Sequence, residues 1–148
     1  MYKRILVPTD GSELSGKAIR NAIDLAARLG SELFVLYVAP RYPVSYFEGG
    51  LAISRDDIAR VEKEWTDKGR ARVDAACESA RLAGVTQARG LVVQSDLVAE
   101  SILAAAEKDK CDLVVMASHG RKGVARMLLG SETQHVLTHG KVPVLVLR

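Results

Sequence analysis

The sequence predicts an α/β domain, a parallel sheet with helices packed on both of its faces. Short runs that are apolar on both sides, such as Ile5–Val7, Leu33–Val38 and Leu113–Val115, alternate with longer stretches at helical spacing. Strands without a polar side are those covered on both faces. The alternation runs through all 148 residues with no repeat, low-complexity tract or linker, so a single doubly wound domain spanning 1–148 is expected. A hydrophobic content of 48% in a chain of this length is enough to bury a core without staples.

The first strand is read over Lys3–Pro8, ended by its proline. Thr9-Asp10-Gly11-Ser12 is a turn, with Ser12 placed to cap the next helix. Leu14, Ala18, Ala22, Leu25, Ala26 and Leu29 then repeat at helical spacing, and Gly30 closes that helix. Glu32–Ala39 is the second strand. Pro40–Ile53 is the long irregular segment, carrying Tyr42, Tyr46, Phe47 and Gly49-Gly50; it reads either as a surface loop pinned by its aromatics or as a flap over a ligand.

Ser54-Arg55-Asp56-Asp57 resembles a capping box opening a long helix. Ile58, Val61, Trp65, Val73, Ala76, Cys77 and Ala80 mark its buried face and Gly84 its end, while Arg60, Glu64, Lys68 and Arg72 mark a solvated one. Gln87–Gln94 is the third strand, Ser95-Asp96 starts a helix through Ile102, Leu103 and Ala106, and Asp112–Ala117 is the fourth strand. Glu132–Gly140 is a short helix, and Val142–Leu147 the fifth strand.

Bulk properties exclude several classes. A net charge of +3, with basic and acidic residues interleaved, is too mild for a nucleic-acid footprint. Aromatics at 5% argue against a stacking platform for single strands. Met1-Tyr2-Lys3-Arg4 and the short apolar run before Asp10 predict no signal peptide, and no run reaches membrane-spanning length. Cys77 and Cys111 have no CxxC spacing and are expected as reduced thiols of a cytoplasmic protein.

Met116-Ala117-Ser118-His119-Gly120-Arg121-Lys122-Gly123, continuing to Gly130-Ser131, leads from a buried strand through a basic, glycine-punctuated loop to a helix start. Glycines let backbone N–H groups approach a phosphate, and a helix N-terminus adds partial positive charge. In doubly wound sheets ligands bind at the carboxyl ends of strands where the order reverses. Those ends carry Thr9-Asp10-Gly11, Val38-Ala39, Ser95-Asp96 and Ala117–Gly120.

Other motifs are weaker. Gly11 to Ala18 approaches the phosphate-loop pattern GxxxxGK[ST], but Ala18 has no hydroxyl for magnesium, and Gly16 and Lys17 fall inside the helical stripe beginning at Leu14. GxGxxG and GxSxG are absent, which leaves no reason to read Ser118 and His119 as parts of a hydrolase triad. His135 and His139 are four apart on a helix but lack an HExxH glutamate or an evident third ligand for zinc; a histidine near a helix C-terminus favours the dipole instead. Asp10 is either a turn carboxylate or a ribose or magnesium contact.

Leu6-Val7-Pro8-Thr9-Asp10-Gly11-Ser12, Ser118-His119-Gly120, the nine-residue gap to Gly130-Ser131 and Pro143-Val144-Leu145-Val146 together resemble the universal stress protein family over essentially the whole chain. Its ATP-binding branch has a glycine where this chain has Ala117, and often one after the third strand, where this chain has Ser95 or Asp96. The resemblance implies five parallel strands in the order 3-2-1-4-5. It also implies ATP with Mg²⁺. Asp10 would meet the ribose or metal, Pro8 and Thr9 would shape that wall, and the Val38 backbone would bond adenine. Met116 and Ala117 would line base and ribose. Gly120, Gly130, Ser131 and Glu132 would offer N–H groups to phosphates, unless the Ser131 hydroxyl instead caps its helix. Arg121 and Lys122 would be charge partners or solvated loop cations.

The last strand, apolar on both sides at the sheet edge, invites pairing with another copy, and the resemblance implies a homodimer through Val142–Leu147. Three functions stay open at this level. One is an ATP-binding stress or regulatory protein that tunes its conformation or an unidentified protein partner, with at most slow hydrolysis. The others are an interaction module without nucleotide and a phosphotransferase using Lys17.

Overall fold

Residues Arg4–Thr9 form β1, the middle strand of a five-stranded parallel sheet in a computed structural model that describes residues 1–43, 53–120 and 128–148. After β1 come α1 (Glu13–Leu29), β2 (Glu32–Ala39), α2 (Arg55–Leu82), β3 (Ala88–Gln94), α3 (Val98–Lys108), β4 (Leu113–Ala117), α4 (Ser131–His139) and β5 (Val144–Leu147). The strand order is β3-β2-β1-β4-β5 with every neighbouring pair parallel, the order that the resemblance implies.

The two-residue period of a strand sorts the core into two layers. Ile5, Val7, Leu33, Val35, Leu113 and Val115 point to one face, where α1 and α2 bury Ala18, Ala22, Ala26, Val73 and Ala80 against them. Leu6, Phe34, Leu36, Val114 and Met116 point to the other, beneath α3 and α4, with Ala99, Ile102 and Val136. At Gly69 helix α2 packs tightly on the sheet, where an added Cβ would run into the Tyr37 ring.

Capping follows local chemistry. Ser12 accepts from the Ser15 N–H at 3.2 Å and Ser54 from the Asp57 N–H at 3.1 Å, while Gly30 ends α1 in the left-handed region at φ 68°. All three caps fall where the sequence places them. The buried face of α2, however, is fully buried only from Gly69 onward; Ile58, Val61 and Trp65 are only partly covered.

Several boundaries differ from the sequence reading. β1 does not stop at Pro8 but runs through Thr9, because the Lys3 carbonyl serves β2 and the Arg4 carbonyl serves the β4 side. That alternation turns the Pro8 nitrogen toward β4, where a donor is missing, and pairing with β4 ends at Leu6↔Val114 while pairing with β2 continues to Thr9↔Tyr37. Helix α3 starts at Val98, not Ser95-Asp96: the Ser95 hydroxyl accepts from the Leu97 N–H and the Asp96 carboxylate from the Arg41 N–H, which makes them turn residues. Asp112 precedes β4 and accepts from the N–H groups of Lys3 and Arg4. β5 begins at Val144, after the Pro143 carbonyl has accepted from the Val114 N–H.

Of the segment 40–53, the described beginning is fixed. Tyr42 stacks on Trp65 with ring centroids 6.2 Å apart, and its N–H donates to Glu62 at 2.8 Å. The rest of the loop-or-flap reading, with Tyr46, Phe47 and Gly49-Gly50, lies outside the described residues. Among the described residues, no helix is long and apolar enough to cross a membrane, and Cys77 and Cys111 are free and buried.

Candidate functional site

Where β1 and β4 part, a crevice of about 140 Å³ opens on the α3/α4 face of the sheet. This is the point where strand order reverses. Its floor is apolar: Pro8, Leu36, Val38 and Met116 from strand ends, roofed by Val98 and Ile102 of α3. Its rim is polar, with Thr9, Asp10, Ser15, His119, Gly120, Glu132 and Thr133.

Hydrogen bonds set the rim. Asp10 Oδ1 accepts from the Ser12 N–H at 2.9 Å, which closes the turn into α1. The Thr9 hydroxyl accepts from the Gly11 N–H and is paired with the Ser15 hydroxyl at 3.0 Å. Across the gap, the buried Thr133 hydroxyl donates to the Ala117 carbonyl at 3.0 Å, and the Ser118 hydroxyl lies 3.1 Å from His119 Nδ1. Gly120 packs so closely that an added Cβ would stand 2.6 Å from Asp10 Oδ2. Any larger residue would have to displace the Asp10 carboxylate for the two loops to meet in this way.

The start of α4 departs from the capping box drawn through Ser131-Glu132-Thr133-Gln134. Gly130, not Ser131, is the N-cap, and no side chain caps the helix. The Gln134 N–H makes the first helical bond, to the Gly130 carbonyl, so the amides of Ser131, Glu132 and Thr133 have no partner within the helix. The Glu132 carboxylate reaches across to the α3 terminus and accepts from the Ala99 N–H at 2.8 Å. It thereby supplies the cap that Leu97, the N-cap of α3, cannot.

The crevice gathers Pro8, Thr9, Asp10, Val38, Met116, Ala117, Gly120 and Glu132 of the sequence-predicted residues. Gly130 and Ser131 are not in its lining: the Gly130 N–H donates to the Ser118 carbonyl at 2.7 Å, and Ser131 is exposed at the head of α4. Arg121, with Lys122 and Gly123, lies outside the described residues. Sequence reasoning missed Ser15, Leu36, Val98, Ile102, His119 and Thr133 as lining residues. Strand parity was a usable signal for Leu36, two residues before Val38, whereas the helix residues arrive only through tertiary packing.

Two other motifs resolve plainly. Gly16 and Lys17 lie within the first turns of α1, and Lys17 Nζ donates to the Arg148 carbonyl at 2.8 Å, so no loop wraps a phosphate there. His135 and His139 do face the same way, with ring centroids 4.3 Å apart, and Glu100 lies 3.5 Å from His135. Among the described residues, no group of three or more potential metal ligands occurs.

A family model for the universal stress protein family matches residues 1–148. The chain belongs to the universal stress protein family. A universal stress protein of Methanocaldococcus jannaschii, MJ0531, is 33% identical over all of this chain and 83% of its own length. In structure, the chain is similar to the universal stress protein UspA from Lactobacillus plantarum, with a TM-score of 0.84, 22% identity and coverage of 99% and 98%. It is also similar to a universal stress protein in complex with cAMP, with a TM-score of 0.70, 24% identity and coverage of 99% and 97%.

Proposed function

We propose that this universal stress protein binds an adenine nucleotide, ATP foremost, in the crevice between β1 and β4, and that occupancy regulates its conformation or its choice of partner. The observation that carries the reading is the crevice's two-sided chemistry. An apolar floor of Pro8, Leu36, Val38 and Met116 suits a base, and the polar rim at Asp10, Gly120 and the α4 terminus suits ribose and phosphate. The first-turn amides of Ser131, Glu132 and Thr133, which lack a partner within the helix, support an anion site at the head of α4. The similar fold that holds cAMP supports the ligand class.

Mg²⁺ fits the donor set in a limited way. Asp10 would contribute a carboxylate oxygen and the nucleotide its phosphate oxygens, the usual arrangement for an ion that keeps its water. When bound, it would neutralise phosphate charge. No catalytic residue is assigned.

β5 supports a homodimer. Among the described residues it pairs only with β4, and Leu145 is 40% exposed on it. Leu145→Lys is expected to shift the protein toward monomer in light scattering; an unchanged mass removes this edge as the interface.

One observation favours the interaction module without nucleotide: the Gly130 N–H is already engaged by the Ser118 carbonyl. Calorimetry with ATP, together with chromatography of nucleotide released from freshly purified protein, separates the two. Micromolar ATP binding supports the nucleotide reading. No released nucleotide and no heat of binding supports the module.

A further inference from the structure

We propose that the space beside the N-terminus of α1, lined by Ser12, Lys17, Arg20, His119 and Gly120 among others, is a subsite for the distal phosphates of a nucleoside polyphosphate. The proposal rests on the nucleotide reading of the neighbouring crevice and extends it to the phosphate chain.

The first observation is continuity. His119 and Gly120 line both spaces, so a chain leaving the crevice over them enters the second space directly. That space is the roomier, about 430 Å³ against about 140 Å³.

The second observation is charge. Lys17 and Arg20 stand three apart on α1, neighbours on one helix flank. Both are exposed, and no hydrogen bond or ion pair engages the Arg20 guanidinium among the described residues. Lys17 gives one donor to the Arg148 carbonyl, which leaves two of its three. Glu13 is the one acid in the described lining.

The third observation is the opposite end of the crevice. There the Glu132 carboxylate already occupies the α3 terminus through the Ala99 N–H. Beyond a phosphate held at the head of α4, Glu132 adds negative charge on that side, whereas Lys17 and Arg20, against Glu13 alone in the described lining, leave net positive charge on the α1 side for the more distal phosphates. The phosphate-loop-like spacing of Gly11 to Ala18 thus acquires a role without the loop: Lys17 acts from a helix flank as a point charge.

The test is calorimetry on the wild type and on Lys17→Ala/Arg20→Gln, using AMP, ATP and inorganic tripolyphosphate. The wild type is expected to bind ATP more tightly than AMP. The double substitution should weaken ATP by about five- to tenfold while AMP changes less than about twofold, a gap that closes as salt is raised. Equal losses for AMP and ATP, or none for either, overturn the subsite and leave the nucleotide reading standing. Tripolyphosphate binding that depends on Lys17 and Arg20, with neither nucleotide bound, overturns the nucleotide reading alone. A wild type that binds none of the three overturns both.

Discussion

The Oδ2 atom of Asp10 lies 2.6 Å from the point where a Cβ on residue 120 would sit. The carboxylate that closes the turn into α1 therefore also defines how near the loop after β4 can come. Gly120→Ala is expected to push the Asp10 carboxylate aside and break its 2.9 Å bond from the Ser12 N–H. Stability should fall by about 1 kcal/mol, and ATP affinity by about tenfold or more if the crevice is the nucleotide site. Adding Asp10→Ser should restore the melting temperature without restoring binding. Recovery of both would show that Asp10 only fills space.

Glu132 holds α4 to α3 through the Ala99 amide. Glu132→Ala leaves that amide without its cap and is expected to cost about 1 kcal/mol, the usual size of a lost cap, whereas Glu132→Gln keeps an acceptor oxygen and should cost less. Urea denaturation of the three proteins checks the order. Equal stability of alanine and wild type would mean that water replaces the carboxylate fully.

Cys111 is 5% exposed, and burial, aided by Asp109 and Asp112, pushes its thiol up to about 12. A raised thiol pKa favours the protonated native form, so its contribution to stability is intact below the ordinary value of 9.0 and is lost as pH rises toward about 12. Native protein at pH 8 should resist iodoacetamide at this position while urea-unfolded protein reacts. Cys111→Ala should flatten the fall in stability above pH 9.0, and rapid native alkylation would contradict the burial.

Gly69 is in contact with the Tyr37 ring across the α2–β2 interface. Gly69→Ala should destabilise the protein by about 2 kcal/mol, because a methyl there must displace an aromatic ring in a packed layer. Combining it with Tyr37→Ala should make the second change cost less than it does alone, a coupling that a double-mutant cycle in denaturant measures. Additive losses would place the strain elsewhere.

What could be read from the chain follows from what local chemistry controls. Strands such as Leu33–Val38 declared themselves by being apolar on both sides, and Ser12, Gly30 and Ser54 by the caps that they form. Ends decided by distant partners did not. Asp96 looks like a helix start until the Arg41 amide claims it, and Ser131-Glu132 looks like a capping box until Glu132 turns to Ala99. The site divides in the same way. Strand-end residues Pro8, Asp10, Val38 and Met116 were legible because the sheet's topology places them at one edge. Val98, Ile102 and Thr133 were not, since only the docking of α3 and α4 brings them over it.

Pro8 gives the crevice its permanence. A sheet seam usually stays open against the pull of amides and carbonyls that would zip it shut, but at this seam the amide hydrogen that would start the zipping was never made. The missing rung is therefore a covalent property of the chain, present before any guest arrives. A ligand entering it need not pry two strands apart, and its binding energy is not drawn down by broken rungs.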